Sequence, residues 1–366
     1  MAPGPPSCDT NASVTPTRLS VAMATCNGAT FLEAQLSSLA KQTRWPDELV
    51  ISDDASTDDT LTIAAAFAKT APFPVVLSKN DTRLGFQDNF LKAARLCSGR
   101  YVAFCDQDDV WFPEKLSIVY QTLVQKKASL VAHGATITDA RLRPITRLVH
   151  GAVANRTYAR GTFQPLPGNV YGFTLAFDKA LLDLIDPALR PDVPDQPGVK
   201  LYHDVWVALL ASNFGTIVHL ERPLAYYRQH ANNVLGARRT RRLDRLAEHL
   251  DSPVSHYRNR ARFAYQCAEA FEVSASNLAV DLALMAHQGA ALYRRIATSF
   301  GQRADLFEHP QRTRRLATLV TMLASGVYTS RRRGGLGTLS LLKDLLSACS
   351  DQRLRLGALE TPPHSP

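Results

Sequence analysis

Tyr101-Val102-Ala103-Phe104-Cys105-Asp106-Gln107-Asp108-Asp109-Val110-Trp111 joins a short apolar run to three carboxylates within four positions. The run, rich in aromatic and β-inclined side chains, reads as a buried strand, and folding alone does not call for so much negative charge at its end. Carboxylates this close repel and raise one another's pKa unless a cation lies between them. Mg²⁺ or Mn²⁺ is the simplest compensation, because both prefer carboxylate oxygens and keep positions open for a phosphate-bearing ligand. A lone Asp-Xaa-Asp would be explained as well by an acidic turn that caps the next helix. The surrounding pattern decides between the two.

Upstream, short β-type runs alternate with helical segments. Strands are expected at Leu19–Thr25, Glu48–Ser52, Pro74–Ser78 and Tyr101–Cys105, and helices at Thr30–Lys41, Thr57–Lys69, Asp88–Cys97 and from Pro113 onward. This alternation predicts an α/β fold with a mostly parallel central sheet covered by helices. In such sheets ligands bind beyond the carboxyl ends of the strands. Three strand ends carry polar groups suited to that: Thr25 and Asn27, then Asp53 and Asp54, then Asp106 and Asp108.

Downstream, residues 139–200 are rich in Pro and Gly and suit loops that shape a substrate pocket. A helix is expected at Val205–Asn213 behind Tyr202-His203-Asp204, and a strand at Gly215–Leu220 before Tyr227-Arg228-Gln229-His230. Beyond Gly236 the chain turns into Arg- and Leu-rich helical segments. The expected division is an N-terminal arm at 1–17, a catalytic domain at 18–236, a basic α-helical accessory region at 237–350 and a flexible tail at 351–366.

Charge follows the same division. Residues 1–235 carry 22 basic and 22 acidic side chains, whereas residues 236–366 carry 20 against 11 and hold the whole net charge of +9. The basic groups include Arg238-Arg239-Thr240-Arg241-Arg242 and Arg331-Arg332-Arg333. A solvated helical face accounts for most of them, and attachment to an anionic inner membrane leaflet is the functional alternative. No aromatic interleaving or recognition motif suggests nucleic acid. No apolar run approaches the roughly 20 residues that span a bilayer, no secretory signal pattern opens the chain, and the six cysteines form no Cys-Xaa-Xaa-Cys pair. A cytoplasmic protein, peripheral at most to the membrane, is the expectation.

Ala24-Thr25-Cys26-Asn27-Gly28, Ser52-Asp53-Asp54-Ala55-Ser56-Thr57-Asp58-Asp59-Thr60, Asp106-Gln107-Asp108-Asp109, Tyr202-His203-Asp204 and Tyr227-Arg228-Gln229-His230, in this order, resemble the family 2 glycosyltransferases with their GT-A fold. The resemblance spans about Leu19 to Gly236. It is greatest to rhamnosyltransferase-like members that build O-antigen and other bacterial surface polysaccharides. Cys26, where that family more often has Tyr, is a departure.

The resemblance implies an inverting, metal-dependent transfer from a UDP- or dTDP-sugar, dTDP-L-rhamnose among them. The acceptor would be a saccharide or a polyprenyl-diphosphate-linked saccharide. Asp106 and Asp108 would hold the cation, with His230 as a third ligand and Asp109 left to a structural role. Asp53 and Thr25 would hold the pyrimidine, Asn27 and Asp54 the nucleotide region, and Arg83 and Arg228 the diphosphate. Asp54 or Ser56 would also cap the helix that follows them. Asp204 would be the general base, because a sugar hydroxyl is a poor nucleophile and needs a carboxylate within hydrogen-bond reach. An N-cap role for Asp204 and a packing role for His203 stand beside that assignment. The alternatives are a catalytically inactive saccharide- or membrane-binding protein, and a sugar nucleotidyltransferase. The latter would need a Gly-rich basic loop where this chain has Cys26-Asn27-Gly28-Ala29-Thr30.

Overall fold

The computed structural model describes residues 17–148, 155–161, 170–231, 233, 254–328 and 336–349. Residues 1–16, both Arg clusters named above and the tail at 351–366 lie outside the described residues.

Strand β1 (Leu19–Thr25) is buried along its whole length and pairs in parallel with β2 (Glu48–Asp53) on one side and β4 (Tyr101–Cys105) on the other. Strand β3 (Val75–Lys79) closes that edge, and helices α1 (Ala29–Ala40), α2 (Thr60–Ala68) and α3 (Phe86–Leu96) provide the crossovers. Helix α1 buries Leu32, Leu36 and Leu39 at helical spacing against Val21, Met23, Leu49 and Ile51. Helix α3 buries Phe90, Leu91 and Ala94 on the opposite face. This half is the parallel α/β layer that the sequence predicts.

The second half makes the sheet mixed. It contains β5 (Val110–Trp111), α4 (Lys115–Gln125), β6 (Leu130–Thr138), β7 (Pro144–Leu148), β8 (Arg156–Tyr158), β9 (Leu175–Asp178), the hairpin of β10 (Asp192–Val193) and β11 (Gln196–Lys200), α5 (His203–Phe214) and β12 (Ile217–Arg228). The order is β3-β2-β1-β4-β9-β6-β12-β5, with β9 antiparallel to both β4 and β6. The 139–200 stretch therefore contains a central strand, which its Pro- and Gly-rich composition hides. Helix α5 is buried on every side, as its continuous apolar run requires.

Helices α6 (Val254–Ala275) and α7 (Val280–Glu308) pack on one another and on α5. Phe263, Phe271, Ala290 and Tyr293 belong to the same apolar cluster as Val205, Leu209 and Phe214. Helices α8 (Arg312–Ala324) and α9 (Thr338–Cys349) gather a smaller cluster around Leu306, Leu319, Met322 and Ala348. We propose that the region from residue 237 is an accessory layer that completes the catalytic core through α6 and α7. Among the described residues no helix is long and apolar enough to cross a membrane.

Candidate active site

Three strand ends meet as expected. Thr25 and Asp53 are register partners at the ends of β1 and β2, and the Thr25 hydroxyl donates to Asp53 Oδ2 at 2.9 Å. Asp53 is fully buried, and it also accepts from the Ser56 amide at 2.9 Å and the Ser56 hydroxyl at 2.5 Å. Its carboxylate is thus engaged in shaping the turn after β2. Asp54 turns the other way and accepts from the amides of Leu84 (2.7 Å) and Gly85 (2.9 Å) and from the Asn80 side chain (2.8 Å). It satisfies free donors at the entry to α3. Neither Asp54 nor Ser56 caps α2, contrary to expectation. That helix starts only at Thr60, where Asp58 accepts from the Thr60 amide at 3.1 Å.

Two residues here sit in the left-handed region, Asn27 at φ 48° and Ala55 at φ 54°. Such conformations are held only where the surroundings over-determine them. Asn27 is exposed, and its side-chain oxygen accepts from the Thr57 amide at 2.9 Å, so it ties the two loops together. Arg83 is exposed beyond β3 and close enough to Cys26 for its charge to act on that thiol.

Beyond β4, Asp106, Asp108 and Asp109 bring one carboxylate oxygen each within 4.8 Å of one another. Asp106 and Asp108 are partly accessible and Asp109 is fully buried. Enclosure first, and then the charges of Asp108 and Asp204, push Asp106 well above the usual carboxylate range. Burial, Asp108 and Asp106 do the same to Asp109. One Asp109 oxygen accepts from the Arg228 amide at 3.1 Å, and the other has no partner. An orphaned buried oxygen within a mutually repelling set of hard donors fits a divalent cation. Asp109, which the sequence reading left to a structural role, joins this set and caps no helix.

His230 Nε2 lies 2.9 Å from Asp108 Oδ2, and the His230 ring packs on Phe31. The loop is fixed by Asn233, which accepts from the His230 amide at 2.5 Å and donates to the Arg228 carbonyl at 3.1 Å. Arg228 is buried, with its guanidinium 4.6 Å over the Phe31 ring. It donates to the carbonyls of Asp108 (2.7 Å) and Ala140 (2.8 Å). Arg228 therefore clamps the acidic loop, and its Nη2 is left over.

Asp204 lies in the first turn of α5, whose N-cap is Tyr202. The N-cap reading of Asp204 is replaced by a position inside the helix. Burial raises its carboxyl to about 7, against the amides of Val205 and Gly172, which favour the charged form. Its charge acts on Asp106, so the two carboxylates lie close enough to interact. His203 is packed as expected, stacked 4.0 Å from Phe90 and edge-on to Phe104. Burial, then Arg190, lowers it to about 3, and it stays neutral.

Two contributors escape the sequence reading. Gln107, between the aspartates, accepts from the Cys26 amide at 2.9 Å and donates to the Cys26 carbonyl at 3.1 Å. It splices the β1 and β4 ends together, and a Cβ on Gly28 would collide with it. Lys115, fully buried, donates to the Phe173 carbonyl at 2.7 Å and lies 3.2 Å over the Trp111 ring. Burial lowers it to about 7, while Cys105, Asp109 and Asp106 act to keep it charged. A lysine in a helix's first turn opposes the macrodipole, and that misplacement is the signal that could have revealed it. Lys115→Met is expected to lower stability by about 3 kcal/mol or more, because it strips the buried carboxylates of their cation. Thermal melts at pH 7 check this, and an unchanged midpoint would remove Lys115 from that role.

An α/β sheet with an acidic triad beyond a central strand, and a further buried carboxylate whose charge reaches it, is the arrangement of a GT-A transferase. Residues 20–184 match the family profile described as "Glycosyl transferase family 2". Residues 20–184 are thus a family 2 glycosyltransferase domain.

The dTDP-rhamnosyl transferase RfbG of Shigella flexneri is 28% identical over 224 residues, covering 59% of this chain and 74% of that protein. A putative teichuronic acid biosynthesis glycosyltransferase of Bacillus subtilis, TuaG, is 26% identical, covering 59% and 81%. Among solved structures, S. aureus TarS 1–349 in complex with UDP-GlcNAc superposes with a TM-score of 0.50 at 16% identity, covering 86% of this chain and 93% of that one. That likeness bears on the fold alone.

Proposed function

We propose that this chain is an inverting, metal-dependent glycosyltransferase that takes a sugar from a UDP or dTDP donor, dTDP-L-rhamnose among them. The acceptor is a saccharide or a polyprenyl-diphosphate-linked saccharide of bacterial surface polysaccharide such as O-antigen or capsule. The observation that carries this reading is the acidic cluster of Asp106, Asp108 and Asp109 beyond β4, with the buried carboxyl of Asp204 close enough for its charge to act on Asp106. The dTDP-rhamnosyl transferase of Shigella flexneri and the putative teichuronic acid glycosyltransferase of Bacillus subtilis support the polymer class.

In this reading Asp106, Asp108 and Asp109 hold Mg²⁺ or Mn²⁺, with His230 orienting Asp108 or joining as a ligand. Held there, the ion would supply positive charge against the diphosphate leaving group. Arg228 keeps the acidic loop in place, and Arg83 offers an exposed cation to the diphosphate. Thr25 and Asp53 form the floor beneath the base, with Asn27 and Asp54 fixing the loops around it. Asp204 takes the proton from the acceptor hydroxyl as that oxygen attacks the anomeric carbon from the face opposite the diphosphate, which inverts the centre.

The test is a thermal-shift and transfer screen of UDP-, dTDP- and GDP-sugars with Mn²⁺, Mg²⁺ or chelator. A cation-dependent shift of several degrees with a pyrimidine donor is expected. Stabilisation by GDP-sugars alone would overturn the pyrimidine assignment, and full turnover in chelator would overturn metal dependence.

A further inference from the structure

Helix α9 has its charges inside and three of its leucines outside. Its only two ionic side chains are Lys343 and Asp344. Asp344 is fully buried and accepts from Arg303 Nε and from the Tyr328 hydroxyl, each at 2.8 Å. Lys343 is 8% exposed and donates to the Tyr257 hydroxyl at 2.8 Å. Ser340 and Ala348 are buried on the same side. Leu342, Leu345 and Leu346 are 57%, 38% and 56% exposed, and Cys349 is exposed with them. Positions 342, 345, 346 and 349 follow the helical repeat, so they form one apolar stripe. A helix at a water-facing surface carries the opposite pattern. Single exposed leucines are ordinary, but a continuous stripe marks an interaction surface.

Charge narrows what covers it. Helix α8, which packs against α9, exposes Arg312 and Arg314 as well as Val320 and Leu323. In the sequence, Arg331–Arg333 precede α9 by five to seven residues, and Arg353 and Arg355 follow it by four and six. A second copy of the chain would add the same net positive charge of +9, which opposes self-association. A bilayer with acidic headgroups offers acyl chains to the leucines and anionic phosphates to the arginines. At 12 residues the helix is about 18 Å long, too short to span a bilayer and suited to lying in its surface.

We propose that α9 docks in the interface of an anionic lipid bilayer, with Leu342, Leu345 and Leu346 among the acyl chains. The buried bonds of Asp344 and Lys343 lock the helix rotation, so the stripe faces outward before any membrane is met. This goes beyond the donor and acceptor reading and is tested apart from it.

The experiment is co-sedimentation of the full chain with vesicles of phosphatidylglycerol and phosphatidylethanolamine, and with phosphatidylcholine vesicles. Binding to the anionic vesicles is expected to exceed that to phosphatidylcholine by about tenfold or more, and to weaken in high salt. The triple variant Leu342→Gln, Leu345→Gln, Leu346→Gln should lose binding by about tenfold or more while melting at the same temperature and turning over donor in vesicle-free solution as before. As a second readout, Leu346→Trp should be quenched by brominated acyl chains. A wild-type chain left in the supernatant, or a triple variant that binds as tightly, would overturn the proposal. So would a dimer in light scattering that the triple variant dissolves, because the stripe would then belong to a second copy.

Discussion

Asp204→Asn is expected to lower kcat for sugar transfer by about 10²–10⁴-fold, while donor affinity stays within about twofold. The substitution keeps size and hydrogen-bonding capacity, so it removes a proton acceptor and little else. The Asp204 carboxylate accepts from the Val205 amide at 2.7 Å, a bond that an asparagine oxygen can keep. Single-turnover kinetics beside a nucleoside-diphosphate titration separate the two quantities. Full turnover by the variant would remove Asp204 from the role of base.

Asp204 also ties activity to pH. Burial raises its carboxyl to about 7, and the base must be ionised to work. The rate should therefore fall about tenfold per pH unit as the solution is acidified below that value, a limb that Asp204→Asn removes. Stability runs the other way. A carboxyl whose folded pKa lies above its unfolded value contributes most below the unfolded value, near 4, and that contribution is lost as pH rises through 7. The ionised, buried Asp204 thus costs about 4 kcal/mol at most at pH 8, before bound cation and donor offset it. Asp204→Asn should melt higher than the parent at pH 8 and equally at pH 4. A site that destabilises the empty fold in this way is organised for a reaction rather than for packing.

The β1, β2 and β4 ends were legible because each combines a buried apolar run with polar side chains that the core cannot use. Charge density marked the cluster of Asp106, Asp108 and Asp109, and the resemblance picked Asp106 and Asp108 within it. Asp204 was legible only through resemblance, since an aspartate opening a helix reads equally well as a cap. Strand β9, four residues long, is made by antiparallel pairing to β4 and β6, a non-local cause that leaves no periodicity in Leu175–Asp178. The start of α2 slipped from Thr57 to Thr60 because Asp53 and Asp58 hold the preceding turn by their side chains. Gln107 drew no reading of its own, because its two bonds to Cys26 cross 81 positions of sequence. The inward charges of α9 were hidden because Lys343 and Asp344 find Tyr257, Tyr328 and Arg303 only in the folded chain.

Asp108→Asn and Asp106→Asn should each reduce transfer by about 10³-fold and abolish cation-dependent stabilisation by a nucleoside diphosphate. The same variants should stabilise the chain in chelator. Three carboxylates whose oxygens lie within 4.8 Å of one another are mutually unfavourable, and one buried lysine does not neutralise them. Removing one charge relieves that repulsion, whereas removing a structural cap would lower stability whether or not a cation is present. The opposite signs of the two effects therefore distinguish a cation site from an acidic turn, the choice posed by the Asp-Gln-Asp-Asp stretch. Asp109→Asn should behave differently, because an asparagine oxygen still accepts from the Arg228 amide and keeps the loop in place. Its transfer rate should fall less, by about tenfold. Melting curves with and without Mn²⁺ and nucleoside diphosphate read all three variants. A cation-dependent shift that survives in Asp108→Asn would mean that the ion is held elsewhere.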